Sequence, residues 1–304
     1  MFSCFSSETD MAERSGKKST SSIVQCEENS ADADSCQGAT DECVEDEGKG
    51  FNMNPDRFET LKEINDVLKR LNIQPCGLIF GIDYTLSNML YGLKTFNGLS
   101  LHDTSYPNHN PYQEVIVIMG ETIASLDDDG IIPAYGFGDA ITKDDSIFPL
   151  KKNGECKGFM EVLKVYNEVT PTVQLGGPTN FAPLIDEAVR IVKEKKQYHI
   201  LVIVTDGQVT NEEDTVRSIL EASEYPLSIV VIGVGDGPWD VMKDFDDKLP
   251  ERWFDNFQFV DFHKVKSEAP RNFQTALALA TLMEIPDQFR YIRDNGLLKR
   301  LAIT

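Results

Sequence analysis

The chain predicts an α/β fold, a doubly wound, mostly parallel sheet flanked by helices. Three observations carry that expectation. The runs 77–82, 199–205 and 227–234 are apolar at nearly every position over strand length, the pattern of parallel strands covered on both faces. Segments with apolar residues at helical spacing separate these runs, so strands and helices alternate. Two of the strands empty into an acid, Asp83 and Asp206, where an open α/β sheet builds its sites at the carboxyl edge.

Composition bounds the rest. A length of 304 residues suits a single α/β domain plus a tail, and 41% hydrophobic residues suffice for a sizeable core. The net charge of −21 excludes the basic face that nucleic acid or an anionic membrane requires and favours a cation or a basic protein as partner. Four of six cysteines (Cys4, Cys26, Cys36, Cys43) fall in the first fifty residues, and Cys76 and Cys156 fall in the expected core. With no CxxC pair, signal peptide or bilayer-length apolar run, the expected compartment is reducing. That means cytoplasmic, with the nucleus or the membrane periphery as alternatives.

Residues 1–50 hold nine serines and twelve acids against four bases, so they are expected to form a disordered acidic tail. Cys4, between Phe2 and Phe5, is a candidate for acylation, which by itself gives only weak, peripheral membrane association. Order is expected from a leading helix over 54–72, capped by Asn54 with Pro55 at its first position and carrying Phe58, Leu61, Ile64, Leu68 and Leu71 on one face. Pro75 ends it before the opening strand of a domain that spans 76–263. The opening strand runs into Asp83-Tyr84-Thr85-Leu86-Ser87. An acid and two hydroxyls at alternate positions form a hard oxygen donor set suited to Mg²⁺, Mn²⁺ or Ca²⁺.

A long polar loop, 88–110, follows, and loops of this length are usually functional or mobile. Its His102 and His109 are weighed as zinc ligands, against the lack of a cysteine or a His-x₃-His pair nearby. A helix with Val115, Ile118, Met119 and Ile123 on one face begins at Pro111, a second strand covers 131–139, and a helix spans about 156–169. The glycine turn Gly176-Gly177-Pro178-Thr179 opens another helix, where the Thr179 hydroxyl can cap the helix or reach into a site. After the strand ending at Thr205-Asp206-Gly207, a helix over 212–224, the strand 227–234, a short helix and the strand 257–262 continue the alternation. The turn Gly235-Asp236-Gly237-Pro238-Trp239-Asp240 is no dinucleotide fingerprint, because Asp240 stands where the third glycine belongs. One final helix, marked by Phe273, Leu277, Ala280 and Met283, lies in a C-terminal helical extension over 264–304.

Three of these phrases, Asp83-Tyr84-Thr85-Leu86-Ser87, Gly177-Pro178-Thr179-Asn180-Phe181-Ala182-Pro183 and Thr205-Asp206-Gly207, resemble the metal-ion-dependent adhesion site (MIDAS) of a von Willebrand factor A domain. Residues 83–88, 134–138, 177–183, 205–207, 231–235 and Glu284-Ile285-Pro286 resemble the copine family. Gly235-Asp236-Gly237-Pro238-Trp239-Asp240, Phe254-Asp255-Asn256-Phe257-Gln258-Phe259 and residues 280–288 resemble most the copine-like ubiquitin ligases that append a RING. The likeness runs over about 54–298. It implies a metal set of Asp83, Thr85, Ser87, Thr179 and Asp206, with one coordination position left for an Asp or Glu carboxylate of a protein partner, so that the ion bridges two proteins and is not a catalyst. Magnesium suits such a site because it keeps waters and few direct protein ligands.

Two departures from the family patterns shape the expectation. Copines carry two C2 domains ahead of this region, whereas fifty acidic residues precede it here, and the ligases carry a cross-brace of zinc ligands, whereas no cysteine follows Cys156. The expectation is therefore a non-enzymatic, metal-dependent interaction module. The alternatives are a RING-less relative or component of a ubiquitin ligase, a structural domain with an empty metal site, and an aspartyl-phosphate hydrolase. The hydrolase lacks its second acid, since Thr85 and Gln208 stand two residues after Asp83 and Asp206. Limited proteolysis of the full chain is expected to cut before Phe51 and leave the remainder folded, as mass spectrometry of the products would show. Protection of residues 1–50 at protease levels that nick exposed loops would contradict the compositional argument.

Overall fold

The computed structural model describes residues 60–303 apart from 74, 125, 128 and 208; the tail, Cys4 and the Asn54-Pro55 helix start lie outside the described residues. Helix α1 (Leu61–Arg70) is capped by Thr60, whose side chain accepts the Glu63 N–H while the Glu63 carboxylate accepts the Thr60 N–H, a reciprocal capping box. Strand β1 (Cys76–Asp83) is buried at all eight positions, and a 3-10 turn, Leu86–Met89, follows it. Helix α2 (Pro111–Ile123) starts on a second reciprocal cap, Asn110 with Gln113, and has proline in its first turn, where the missing N–H removes nothing. Then come β2 (Ile131–Phe137), β3 (Ile147–Pro149), β4 (Glu155–Lys157), α3 (Gly158–Val169), α4 (Ala182–Lys195), β5 (Tyr198–Thr205), α5 (Glu212–Ala222), β6 (Leu227–Gly233), α6 (Asp240–Asp247) and β7 (Phe257–Asp261). Four helices close the chain: α7 (Phe262–Glu268), α8 (Phe273–Leu282), α9 (Ile285–Asp294) and α10 (Leu297–Ile303).

The strand order is β3-β2-β1-β5-β6-β7, with β4 also on β2. The pairs β1/β2, β1/β5, β5/β6 and β6/β7 are parallel, and only β3 and β4 run against β2. The fold is thus the expected mostly parallel, helix-flanked α/β sheet. From β1 the chain winds outward to β2, then crosses back to β5 on the other side, so the topological switch lies between β1 and β5. Their register, Ile82↔Val204, brings Asp83 and Thr205 out at the same level of the carboxyl edge.

Two expectations change. The stretch near 156 begins as strand β4, because Ile131↔Lys157 and Ile132↔Cys156 pair before the helix starts at Gly158. A three-residue strand is too short to show a period. The single final helix is three helices. Pro286 sits in the first turn of α9, where proline starts a helix but cannot continue the preceding one, and Gly296 takes φ +67° between α9 and α10, the left-handed conformation that ends helices.

Side chains alternate across β1 as strand geometry requires. Leu78, Phe80 and Ile82 join one core cluster with residues of α1, α2, α3 and the C-terminal helices; Ile79 joins the other with Leu184, Ile185 and Ala188 of α4. Between them Gly81 faces α4 so closely that an added Cβ would stand 2.1 Å from Leu184 Cδ2. Gly81→Ala should therefore overpack this contact and cost about 1–3 kcal/mol, seen as a lower melting temperature. An unchanged melt would mean that the Leu184 side chain turns aside without cost.

Candidate metal centre

The carboxyl ends of β1 and β5 gather the oxygen donors. Asp83 is fully buried; its Oδ1 accepts the Thr85 N–H at 2.8 Å and its Oδ2 accepts the Thr205 hydroxyl at 2.5 Å. Asp206, also fully buried, uses Oδ1 to accept from Ser87 Oγ at 3.0 Å and Thr85 Oγ1 at 3.4 Å. The two hydroxyls lie 2.9 Å apart. Thr85 Oγ1, Ser87 Oγ and Asp206 Oδ1 therefore form a compact triangle, while Asp206 Oδ2 is buried and accepts no hydrogen bond among the described residues.

Thr179 reaches the same neighbourhood through its backbone. Its N–H donates to Thr210 Oγ1 and its carbonyl accepts the Thr210 N–H at 2.9 Å, which ties the 176–181 loop to the chain leaving Asp206. Among the described residues no hydrogen bond joins its hydroxyl to the triangle, and it does not cap α4 either. On the other side the loop is held to Thr85 and Leu86, since the Leu86 N–H donates to the Gly176 carbonyl at 2.7 Å. The structure thus brings Asp83, Thr85, Ser87 and Asp206 into one bonded cluster and sets Thr179 beside it. Asp139, at the end of the neighbouring strand, is spent on the backbone of Ile141 and Thr142.

What holds Asp83 in place was not apparent from the sequence. His102 Nε2 lies 2.7 Å from the Asp83 carbonyl and Nδ1 lies 2.8 Å from Tyr166 Oη. A carbonyl only accepts, so Nε2 carries the proton and Nδ1 accepts from Tyr166. The imidazole is stacked between Tyr84 (4.7 Å) and Tyr112 (4.1 Å), and burial lowers its pKa to about 4. Asn88 donates to the carbonyls of Asp83 and Thr85 and accepts the Tyr112 hydroxyl at 2.7 Å. The zinc reading of the histidines therefore fails for His102, whose nitrogens are both occupied internally. His109 is exposed, and among the described residues no group of three or more His, Cys, Asp or Glu could hold a metal. Two glycines allow the close packing. Gly138, at φ +74°, would place a Cβ 2.5 Å from Thr85 Cγ2, and Gly235 would place one 2.5 Å from the Asp206 carbonyl oxygen.

The electrostatics is that of two acids lacking a counter-charge. Burial raises the Asp83 pKa against the hydrogen bonds of Thr205 and Thr85. Burial and then the Asp83 charge raise that of Asp206 against the bonds of Ser87 and Thr85. A small divalent cation fits this donor set. Adjacent ligands of an octahedral Mg²⁺ at 2.0–2.1 Å stand about 2.9 Å apart, matched by two edges of the triangle at 2.9 and 3.0 Å and exceeded by the third at 3.4 Å, and the orphaned Asp206 Oδ2 is an acceptor without a donor.

The Thr205–Asp83 bond is buried, and without its donor a carboxyl oxygen is left unpaired, so the near-isosteric Thr205→Val should cost about 1.5–3 kcal/mol in urea unfolding. Thr170→Val, which removes a neutral bond to Tyr84 Oη, should cost about 1 kcal/mol. Equal costs would mean that Asp83 does not depend on Thr205.

A copine family model matches residues 100–300 of this chain. Copine family protein 2 of Caenorhabditis elegans is 54% identical over 254 residues, covering 82% of this chain and 3% of that protein. E3 ubiquitin-protein ligase RGLG2 of Arabidopsis thaliana is 45% identical over 261 residues, covering 81% of this chain and 56% of that one. The chain thus spans only part of these relatives. Among solved structures, a von Willebrand factor type A protein from Catenulispora acidiphila aligns with a TM-score of 0.42 and 14% identity over 68% of this chain and 43% of its own. The matched stretch begins in the loop that carries His102 and ends in the last helix, and on that extent the chain belongs to the copine family.

Proposed function

We propose that this chain is a metal-dependent protein-interaction module in which Asp83, Thr85, Ser87, Thr179 and Asp206 supply the oxygen donors for a divalent cation, Mg²⁺ first and Mn²⁺ or Ca²⁺ as alternatives. The observation that carries the reading is the buried, partnerless Asp206 Oδ2 beside a triangle of oxygens with edges of 2.9, 3.0 and 3.4 Å. When bound, the ion would supply positive charge and an open position for an Asp or Glu carboxylate of the partner. The chain's own residues orient the donors: Thr205 and the Thr85 amide hold the Asp83 carboxylate, and His102 and Asn88 fix the turn that presents Thr85 and Ser87.

The surroundings suit docking. Leu86, Met89, Leu90 and Leu93, on and just after the turn bearing Ser87, are all more than half exposed, as is Ile141 beyond Asp139. Exposed apolar side chains grouped around a polar site are a feature of protein-binding surfaces. Catalysis has less support, because no second acid stands two residues beyond Asp83. A second reading is favoured by the identity to the Arabidopsis ligase: the module would recruit partners for ubiquitination while the zinc-bearing catalytic part lies outside residues 157–304, which hold no cysteine.

Calorimetric titration with MgCl₂, MnCl₂ and CaCl₂, followed by partner capture with and without EDTA, tests the proposal. Wild type should bind one cation and lose its captured partners in EDTA. Asp83→Ala combined with Ser87→Ala should lose both properties while melting cooperatively. Partners retained equally in EDTA and by the double variant would overturn the reading. For the second reading, chains formed by the purified protein with a conjugating enzyme alone would refute a purely recruiting role.

A further inference from the structure

Around the metal donors the carboxyl edge carries apolar side chains on backbone that is firmly held. The chain makes a helical turn as it leaves β1, and there Leu86, Met89, Leu90 and Leu93 are 55% to 66% exposed. The Leu86 N–H donates to the Gly176 carbonyl at 2.7 Å, and the Tyr91 carbonyl accepts the Asp236 N–H at 2.9 Å. The Asp236 carboxylate accepts the N–H groups of Lys94 and Thr95 and, at 2.6 Å, the Thr95 hydroxyl. The Tyr91 ring lies against Gly207, where an added Cβ would stand 3.3 Å from it. The turn thus leaves the end of β1 and passes over the ends of β5 and β6.

A second apolar projection stands across the donors. Ile141 is 86% exposed on the loop after β2, and that loop is fixed as well. The Asp139 carboxylate accepts the N–H groups of Ile141 and Thr142, the Ala140 N–H donates to the Gln174 carbonyl at 2.9 Å, and the Asn180 side chain donates to the Asp144 carbonyl at 3.0 Å. Because Leu175 pairs with Asp139 and Gly176 with Thr85, the Ile141 loop lies on the β2 side of the donors. The leucine turn reaches over the β5 and β6 side, so the donors stand between two fixed apolar walls. Fixed, exposed apolar groups around a polar centre form a binding surface.

The charges of these elements are unequal. Lys94 and Lys143 are exposed, one on each wall, and against them stand Asp144, Asp145 and, at the start of α5, Glu212 and Glu213; none of these is in an ion pair among the described residues. Asp214 of the same helix is engaged by Arg217 at 2.6 Å. Helix α5 begins beside the donors, since the Thr210 N–H donates to the Thr179 carbonyl. With a cation offsetting Asp83 and Asp206, a partner would meet apolar walls and an acidic flank.

We propose, on the metal-site reading above, that this face takes a segment of a partner protein that is apolar and basic around one Asp or Glu. The acid reaches the metal position, large apolar residues on its two sides rest on Leu90 and Leu93 and on Ile141, and a Lys or Arg faces Glu212 and Glu213. An acidic segment or an anionic membrane would be repelled by that flank. A wholly apolar partner would bring no carboxylate to the donors.

Capture of a peptide library, with Glu fixed at its centre and randomised flanks, on the Mg²⁺-loaded full chain tests this assignment. Retained peptides should be rich in Leu, Ile, Phe and Met together with Lys or Arg, and poor in further Asp and Glu. EDTA, or Gln in place of the central Glu, should abolish retention. For a retained peptide in a fluorescence-polarisation titration, Leu90→Ser combined with Leu93→Ser should weaken binding about tenfold, the scale of partly burying an aliphatic side chain. Glu212→Gln combined with Glu213→Gln should weaken only peptides that carry Lys or Arg, each variant being checked for cooperative melting. A parallel MgCl₂ titration of wild type separates two failures: no bound cation would overturn the metal-site reading and this assignment with it. A bound cation together with acidic flanks selected, no flank preference, no peptide retained, or indifference to both double variants would overturn this assignment alone. Sedimentation with phosphatidylcholine vesicles that the leucine variant abolishes, with no peptide retained, would give the face to a lipid surface instead.

Discussion

The constraint on which the structure depends is the placement of two buried carboxylates at the ends of adjacent central strands. Like charges out of water raise each other's pKa and oppose folding unless hydrogen bonds or a cation offset them. The fold supplies hydrogen bonds for three of the four carboxylate oxygens: Thr85 and Thr205 serve Asp83, and Ser87 and Thr85 serve one oxygen of Asp206. The fourth is left bare. That asymmetry is the observation on which the proposed metal site rests, since buried carboxylates are ordinarily hydrogen-bonded throughout.

Around this pair the long loop after β1 acts as a brace. It sends His102 back between Tyr84 and Tyr112 to hold the Asp83 carbonyl, with Tyr166 of α3 and Asn110 at the start of α2 completing the chain of bonds. Asp236, beyond β6, secures the same loop by accepting from the backbone of Lys94 and Thr95. The loop's ordered, buried end fixes the donors, while its exposed leucines and Met89 surround them. The segment that positions the donors thus also carries the exposed apolar side chains on which the proposed interaction role draws.

The sequence by itself determined the fold class, because strands buried on both faces must be apolar throughout and helices between them must repeat near 3.6. It also singled out Asp83, Thr85, Ser87 and Asp206, since an acid that ends a buried parallel strand lies at the carboxyl edge wherever that strand is placed. Short strands β3 and β4 stayed hidden because three residues show no period, whereas the breaks of the last helix are marked in the sequence itself by Pro286 and Gly296. Tertiary structure alone decided that β1 and β5 are neighbours, and hence that Asp83 and Asp206 face a common point. It also decided that His102 is a clamp and not a ligand, and that among the described residues no hydrogen bond joins the Thr179 hydroxyl to the cluster. Each of these depends on contacts between residues far apart in the chain, and local periodicity holds no information about which distant groups a side chain will meet.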